Sequence, residues 1–253
     1  MCMQGQDTSL FRRELLIVGK DTMPYRILLP VDYSPKKRYP IVFFLHGSGE
    51  RGRDNAAQLV HGSRLFLADS NRTKFPAIVV FPQCPPESYW SNVSIRKDSL
   101  GNYIGLDFPE YAPPTRAMTM LMELVRNMLR HYAVNENNVY VGGLSMGGMG
   151  TFELVQRMPH VFAAAFPICG GQDPNNIQRK GNRLFWWIFH GAVDPIVPEQ
   201  LSMRMARALN EAGHNIRYTV YPNVGHDSWT NAFAEPKLLS WLFSKQRTKK
   251  RLK

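Results

Sequence analysis

The segment Gly143-Leu144-Ser145-Met146-Gly147 sets a serine between two glycines, directly after the β-branched and aromatic run Val139-Tyr140-Val141. Glycines on both sides permit a tight strand-to-helix turn that lifts the Ser145 hydroxyl above the end of a sheet. A plain glycine-rich turn carries the same letters; the strand before and the helix after favour a nucleophile. A serine hydroxyl attacks poorly until a base takes its proton. Seven histidines compete for that role. His131, His160 and His214 fall at helix ends or in a helix-to-strand turn. His46 and His190 end strands in "LHG" and "FHG", and each is expected to brace a loop through its ring. His226, in "NVGHDSW", follows one strand and precedes the last helix, where a loop can carry its ring over the sheet edge to Ser145.

The base needs a carboxylate to fix its tautomer and stabilise its charged form. Asp194, in "HGAVDPIVP", follows the strand ending at Phe189 and gives the chain order nucleophile, acid, histidine. Asp173 in "GGQDP" is a rival, and Asp227 lies too close to His226 in sequence to orient its ring. Acyl transfer also needs donors for the developing oxyanion. One is the backbone N–H of Met146. The other is expected from "HGSGERG", at Ser48, with Gly49 as the near alternative.

These residues need elements to hold them at one end of a sheet. The stretch 12–18 and "YRILLP" read as a hairpin joined by "GKDTMP". Ile41 to Leu45 and Ala77 to Phe81 are apolar without alternation, as in strands covered on both faces. A short helix is expected around 56–66. Apolar positions Met118, Leu121, Met122, Val125, Met128, Leu129 and Tyr132 recur at helical spacing over 115–132. "NNVYVGG", "VFAAAFPICG", "RLFWWIFHG" and "NIRYTVYP" supply further strands, and helix-forming residues follow Ser145 from Thr151. A helix opens at Pro198-Glu199, and a final helical stretch breaks at Pro236. Strands alternating with helices give a mostly parallel sheet flanked by helices on both faces, with ligand sites beyond the carboxyl ends of the strands.

Composition agrees with that class. The 253 residues are 44% hydrophobic and 20% charged, which suits a globular chain with one core. One catalytic domain over 11–244 and a basic tail over 245–253 are expected. The net charge of +11 owes much to that tail, whose nine residues carry six of the lysines and arginines, so a nucleic-acid partner is not supported. Apolar runs stay far below the roughly 18 residues of a membrane span. The opening "MCMQGQDTSL" is polar and lacks the basic and apolar regions of a signal peptide. That leaves a cytoplasmic location, or a periplasmic or secreted one after removal of a leader. Cys2, Cys84 and Cys169 are widely spaced with no CxxC, so neither a disulfide framework nor a cysteine metal site is expected.

Together "LHGSGERG", "FPQCP", "GLSMGGMG", "FHGAVDPIVP" and "GHDSW" resemble the α/β-hydrolase superfamily. They resemble in particular bacterial esterases related to the feruloyl and acetylxylan esterases, to polyhydroxybutyrate depolymerases and to phospholipase/carboxylesterase proteins. The resemblance implies an eight-stranded sheet whose second strand is antiparallel, a serine esterase acting through an acyl-enzyme, and no cofactor or metal. It also implies the triad Ser145, Asp194, His226 and oxyanion amides at Met146 and Ser48. The expected substrate is a small or polysaccharide-linked ester, feruloyl or acetyl. A peptidase of the same fold and a non-catalytic binding module remain as alternatives. Between 168 and 184 there is no long insertion of the kind many lipases use as a lid. Specificity is therefore expected from 84–114, whose Tyr89, Trp90, Tyr103, Phe108 and Tyr111 would line a groove or tie the loop down. Trp90 and Trp229 are expected as pocket walls. Gln83 is expected to bind substrate or to brace the loop after His46.

Overall fold

The computed structural model describes residues 8–110, 112–177 and 184–247. Its strands are β1 (Arg12–Val18), β2 (Asp21–Leu28), β3 (Tyr39–Leu45), β4 (Ile78–Pro82), β5 (Ser94–Lys97), β6 (Tyr103–Asp107), β7 (Val134–Leu144), β8 (Ala164–Ile168), β9 (Phe185–Gly191) and β10 (Asn215–Tyr221). Its helices are α1 (Ser63–Leu67), α2 (Asp69–Lys74), α3 (Arg116–His131), α4 (Met146–Arg157), α5 (Glu199–Glu211), α6 (Trp229–Phe233) and α7 (Leu238–Phe243).

Eight strands form one sheet in the order β1-β2-β4-β3-β7-β8-β9-β10. β2 runs antiparallel to both β1 and β4, and the pairs from β4 through β10 are parallel. The run in β3 explains why the sheet is covered on both sides. Ile41, Phe43 and Leu45 enter the core beneath α3, α4 and α5, whereas Val42 and Phe44 enter the core beneath α1, α6 and α7. Successive side chains of a strand point to opposite faces, so an unbroken apolar run needs a helical layer on each.

α3 packs through Met118, Leu121, Leu124, Val125 and Met128, all fully buried. Each such side chain stabilises by about 1.5–3 kcal/mol relative to exposure. Thr115 starts the helix by accepting the Met118 N–H at 3.0 Å, a cap whose loss costs about 1 kcal/mol.

Local details depart from the sequence expectations in four places. The β1–β2 turn is only Gly19-Lys20, with Gly19 at φ +59°, and Pro24 pairs opposite Leu15 inside β2. α4 begins at Met146 instead of Thr151. The 84–114 segment holds a separate β5–β6 hairpin. The first residues of the expected tail are hydrogen-bonded to β7: Lys245 O accepts from Asn138 Nδ2 and Tyr140 OH, and Arg247 N donates to Asn137 O. Residues 248–253 of that tail lie outside the described residues.

Candidate active site

The strand ends converge on Ser145. β7 stops at Leu144 and α4 starts at Met146, leaving Ser145 alone at φ 53°, ψ −117°, a region that side chains other than glycine rarely occupy. Its N–H donates to Ile168 O at 2.9 Å and its O accepts from Met149 N at 3.0 Å, so the strained turn is pinned on both sides. The glycines have a steric cause: a Cβ on Gly147 would lie 2.0 Å from Leu45 O, and one on Gly143 would lie 2.4 Å from Gly147 O. That close approach overrides the poor helix propensity of "MGGMG" and lets α4 begin at once.

Ser145 Oγ lies 2.9 Å from His226 Nε2, and His226 Nδ1 lies 2.8 Å from Asp194 Oδ2. The His226 ring is held edge-on against Trp229 at 5.4 Å, and Trp229 packs in turn on His61. Asp194 Oδ1 accepts the amides of Ile196 and Val197, both at 2.9 Å. Burial by itself would raise the Asp194 carboxyl; hydrogen bonds from His190, His226 and those two amides outweigh it and hold the group well below the usual carboxylate range. The rivals are engaged elsewhere. Asp173 caps a short turn by accepting Asn175 N–H, and Asp227 is exposed.

The Met146 N–H lies in the first turn of α4, where no helical carbonyl precedes it to accept the hydrogen. Ser48 opens a single helical turn over Ser48–Glu50 and lines the same cleft as Ser145 and His226. Its loop is adjacent: a Cβ on Gly47 would lie 3.8 Å from Ser145 Cβ. The loop is braced by His46, whose Nε2 accepts Cys84 N–H at 3.0 Å while Nδ1 donates to Gly47 O at 2.6 Å. Burial pushes that ring down to about 4, so it stays neutral.

The cleft above Ser145 has a volume of about 1030 Å³. Its walls mix Tyr89 and Tyr103 with Val93, Ile95, Leu106, Met149, Ile196 and Val197, and its polar rim includes Arg51, Glu87 and Arg116. Tyr103 ties the β5–β6 hairpin across the cleft by donating to Ile196 O at 2.7 Å.

Of the residues expected to meet substrate, Trp90 is fully buried, edge-on to His46 at 5.4 Å, and forms no part of the cleft wall. Gly150 makes the room for it, since a Cβ there would lie 2.5 Å from Trp90 Cβ. Gln83 is also fully buried. Its Oε1 accepts Asn55 N–H and its Nε2 donates to Glu50 O and Asp54 Oδ1, so the amide is spent on bracing the loop. Phe108 packs with Met149, Val197 and Leu201. Tyr111 lies outside the described residues.

Sequence reasoning passed over Arg51, Glu153 and the depth of His190. Arg51 donates to the carbonyls of Ser48, Pro86 and Ser88, tying the two loops that flank the cleft. Glu153, buried in α4, accepts from Ser91 Oγ, Asn92 N, Gln172 Nε2 and Arg157 Nε. A buried acid in an otherwise apolar helix face was the available signal.

As a metal set, Cys169, Asp194 and His226 bring their ligand atoms within 4.8 Å of one another. Both ring nitrogens of His226 are already engaged, and burial pushes the Cys169 thiol far up, away from the thiolate that a metal needs. This arrangement suits proton transfer better than ligation. None of the described helices is long and apolar enough to cross a membrane.

The mostly parallel eight-stranded sheet, with a serine at its strand-to-helix turn, has the architecture of the α/β-hydrolase fold. Residues 30–237 match the phospholipase/carboxylesterase family, and the chain belongs to it. It is 23% identical over 225 residues to mouse (Mus musculus) lysophospholipase-like protein 1, covering 84% of this chain and 90% of that protein. The crystal structure of a thermostable esterase superposes with a TM-score of 0.82 at 32% identity. That match covers 95% of this chain, which spans 64% of the esterase's length. A ferulic acid esterase from Anaeromyces mucronatus shares the fold at 16% identity and a TM-score of 0.64, over 92% of this chain and 88% of its own.

Proposed function

We propose that the protein is a serine carboxylic-ester hydrolase in which Ser145, His226 and Asp194 act as catalytic triad. The observation that carries this reading is the hydrogen-bonded relay of 2.9 and 2.8 Å from Ser145 Oγ through His226 to Asp194, on the floor of an open cleft. Ser145 Oγ attacks the ester carbonyl carbon as its proton passes to His226 Nε2. The oxyanion is met by the N–H groups of Met146 and Ser48. The C–O bond to the alcohol breaks, and His226 returns the proton to the leaving oxygen. Water then attacks the acyl-enzyme, gives its proton to His226 and releases the acid, restoring Ser145. Asp194 keeps His226 in the tautomer with hydrogen on Nδ1 and stays ionised throughout.

On this reading residues 11–244 act as one catalytic domain. The substrate is a small accessible ester, with feruloyl or acetyl groups on carbohydrate as the leading class. Tyr89 and Tyr103 offer faces for a planar acyl group or a sugar ring. The test is a turnover screen of methyl ferulate, acetylated xylan, short alkyl esters and peptide amides. Hydrolysis confined to the esters supports the proposal, and faster cleavage of the amides would replace it with a peptidase.

A further inference from the structure

Asp194 meets two histidines, and the proposed mechanism uses one of them. His190 is the penultimate residue of β9, with its side chain fully enclosed. Its Nε2 lies 2.8 Å from Val197 O and 3.3 Å from Asp194 Oδ2. Both neighbours offer only lone pairs, so Nε2 must carry a hydrogen. Its Nδ1 lies 2.7 Å from Ser202 Oγ, and Ser202 Oγ lies 2.7 Å from Gly170 O. The hydroxyl owns one hydrogen, and the carbonyl can only accept it. With that hydrogen on Gly170 O, Ser202 Oγ presents a lone pair to the ring, and Nδ1 must also carry a hydrogen. A neutral imidazole has one ring hydrogen, so it would leave one of these 2.7 Å contacts between two acceptors. The same accounting at His46, equally buried, gives one donor and one acceptor neighbour and hence a neutral ring.

We infer that His190 is an imidazolium paired with Asp194, a positioning residue that fixes the carboxylate toward His226 and offsets part of its charge. The hydrogen-bond accounting stands by itself; the positioning role rests on the function proposed above. Burying a lone cation is costly, and the carboxylate at 3.3 Å compensates it. Apart from His226 and the exposed Asp227, the other polar groups facing the pair carry no charge. The end of β8 contributes the neutral Cys169 thiol, β6 contributes the Tyr103 phenol, and α5 contributes the Ser202 hydroxyl. The loop after β10 contributes His226 and the exposed Asp227, which acts on Cys169. With its charge shared, Asp194 holds a proton on His226 less strongly than a solitary carboxylate would. Ester turnover consequently persists to lower pH.

The test uses the full chain labelled with 15N-histidine. The His190 ring signals are assigned by their loss in His190→Gln and, should that variant fail to fold, by the displacement of the Nδ1 signal in Ser202→Ala, which removes only the partner of Nδ1. Two hydrogen-bearing ring nitrogens between about pH 6 and 8 are expected. A ring nitrogen without hydrogen at about pH 7 would overturn the inference, whether or not the protein hydrolyses esters. The second readout is the pH profile of kcat/KM in His190→Gln. Its acid limb should move up by roughly 1 pH unit while KM changes little. A variant of lower stability with an unmoved limb would make His190 a packing residue only.

Discussion

His46 Nε2 accepts the amide hydrogen of Cys84 across 3.0 Å, and that bond joins the loop carrying Ser48 to the segment that walls the cleft. Protonation would turn the acceptor into a second donor facing an N–H. Burial pushes the ring from its ordinary value down to about 4. Because the folded value lies below the unfolded one, the unfolded chain binds the extra proton first. Stability from this group is whole above about pH 6.5 and is lost as pH falls through about 4. The loss amounts to about 3 kcal/mol. Urea denaturation across this range should show it, and His46→Gln, which keeps an acceptor for Cys84, should show a flatter dependence. Parallel curves for the two proteins would contradict the neutral ring.

Trp90→Ala should destabilise by about 3–5 kcal/mol, because it empties a fully enclosed site between His46 and Gly150. Trp90→Phe keeps most of the bulk and removes a buried indole N–H without a hydrogen-bond partner, so its cost should be much smaller. Small and bulky esters should lose kcat/KM alike in the alanine variant. A selective loss on bulky esters at unchanged stability would make Trp90 a substrate wall after all.

Glu153→Gln removes the buried charge that gathers Ser91, Asn92, Gln172 and Arg157, at a cost of about 3 kcal/mol. Ser91 and Asn92 line the cleft, so KM should rise several-fold while kcat is largely kept. A fall in kcat at constant KM would place the effect on the reacting groups instead.

Chelation by EDTA should leave initial rates unchanged, because both ring nitrogens of His226 are committed to Ser145 and Asp194. Loss of activity restored by added zinc would assign the Cys169–Asp194–His226 cluster to a metal.

The three residues of the relay were legible because each follows the carboxyl end of a sheet strand, and strand ends can be read from apolar runs such as Val139 to Val141 and Phe185 to Phe189. The β5–β6 hairpin was not. All four residues of β5 are exposed, so no burial pattern marks it, and its best signal is the Asp98 turn, whose Oδ1 accepts Leu100 and Asn102 N–H. Trp90 misled because a large ring in a long polar segment suggests a wall. Its true place depends on the missing Cβ of Gly150, sixty residues away in sequence. The start of α4 is hidden in the sequence for a related reason: helix propensity argues against "GGMG", and only the approach of Leu45 O to Gly147 and of Ile168 O to Gly148 shows why those two positions cannot carry side chains.

The most direct test of the central claim is kcat/KM of Ser145→Ala on a short p-nitrophenyl ester, compared with the parent chain, with folding verified by its thermal transition. The account predicts a folded protein whose activity falls by at least about a thousandfold, since the attacking oxygen is gone while the cleft and the oxyanion amides remain. A folded Ser145→Ala protein that keeps a tenth or more of the parent's activity, roughly 1.4 kcal/mol or less of lost transition-state stabilisation, would contradict it.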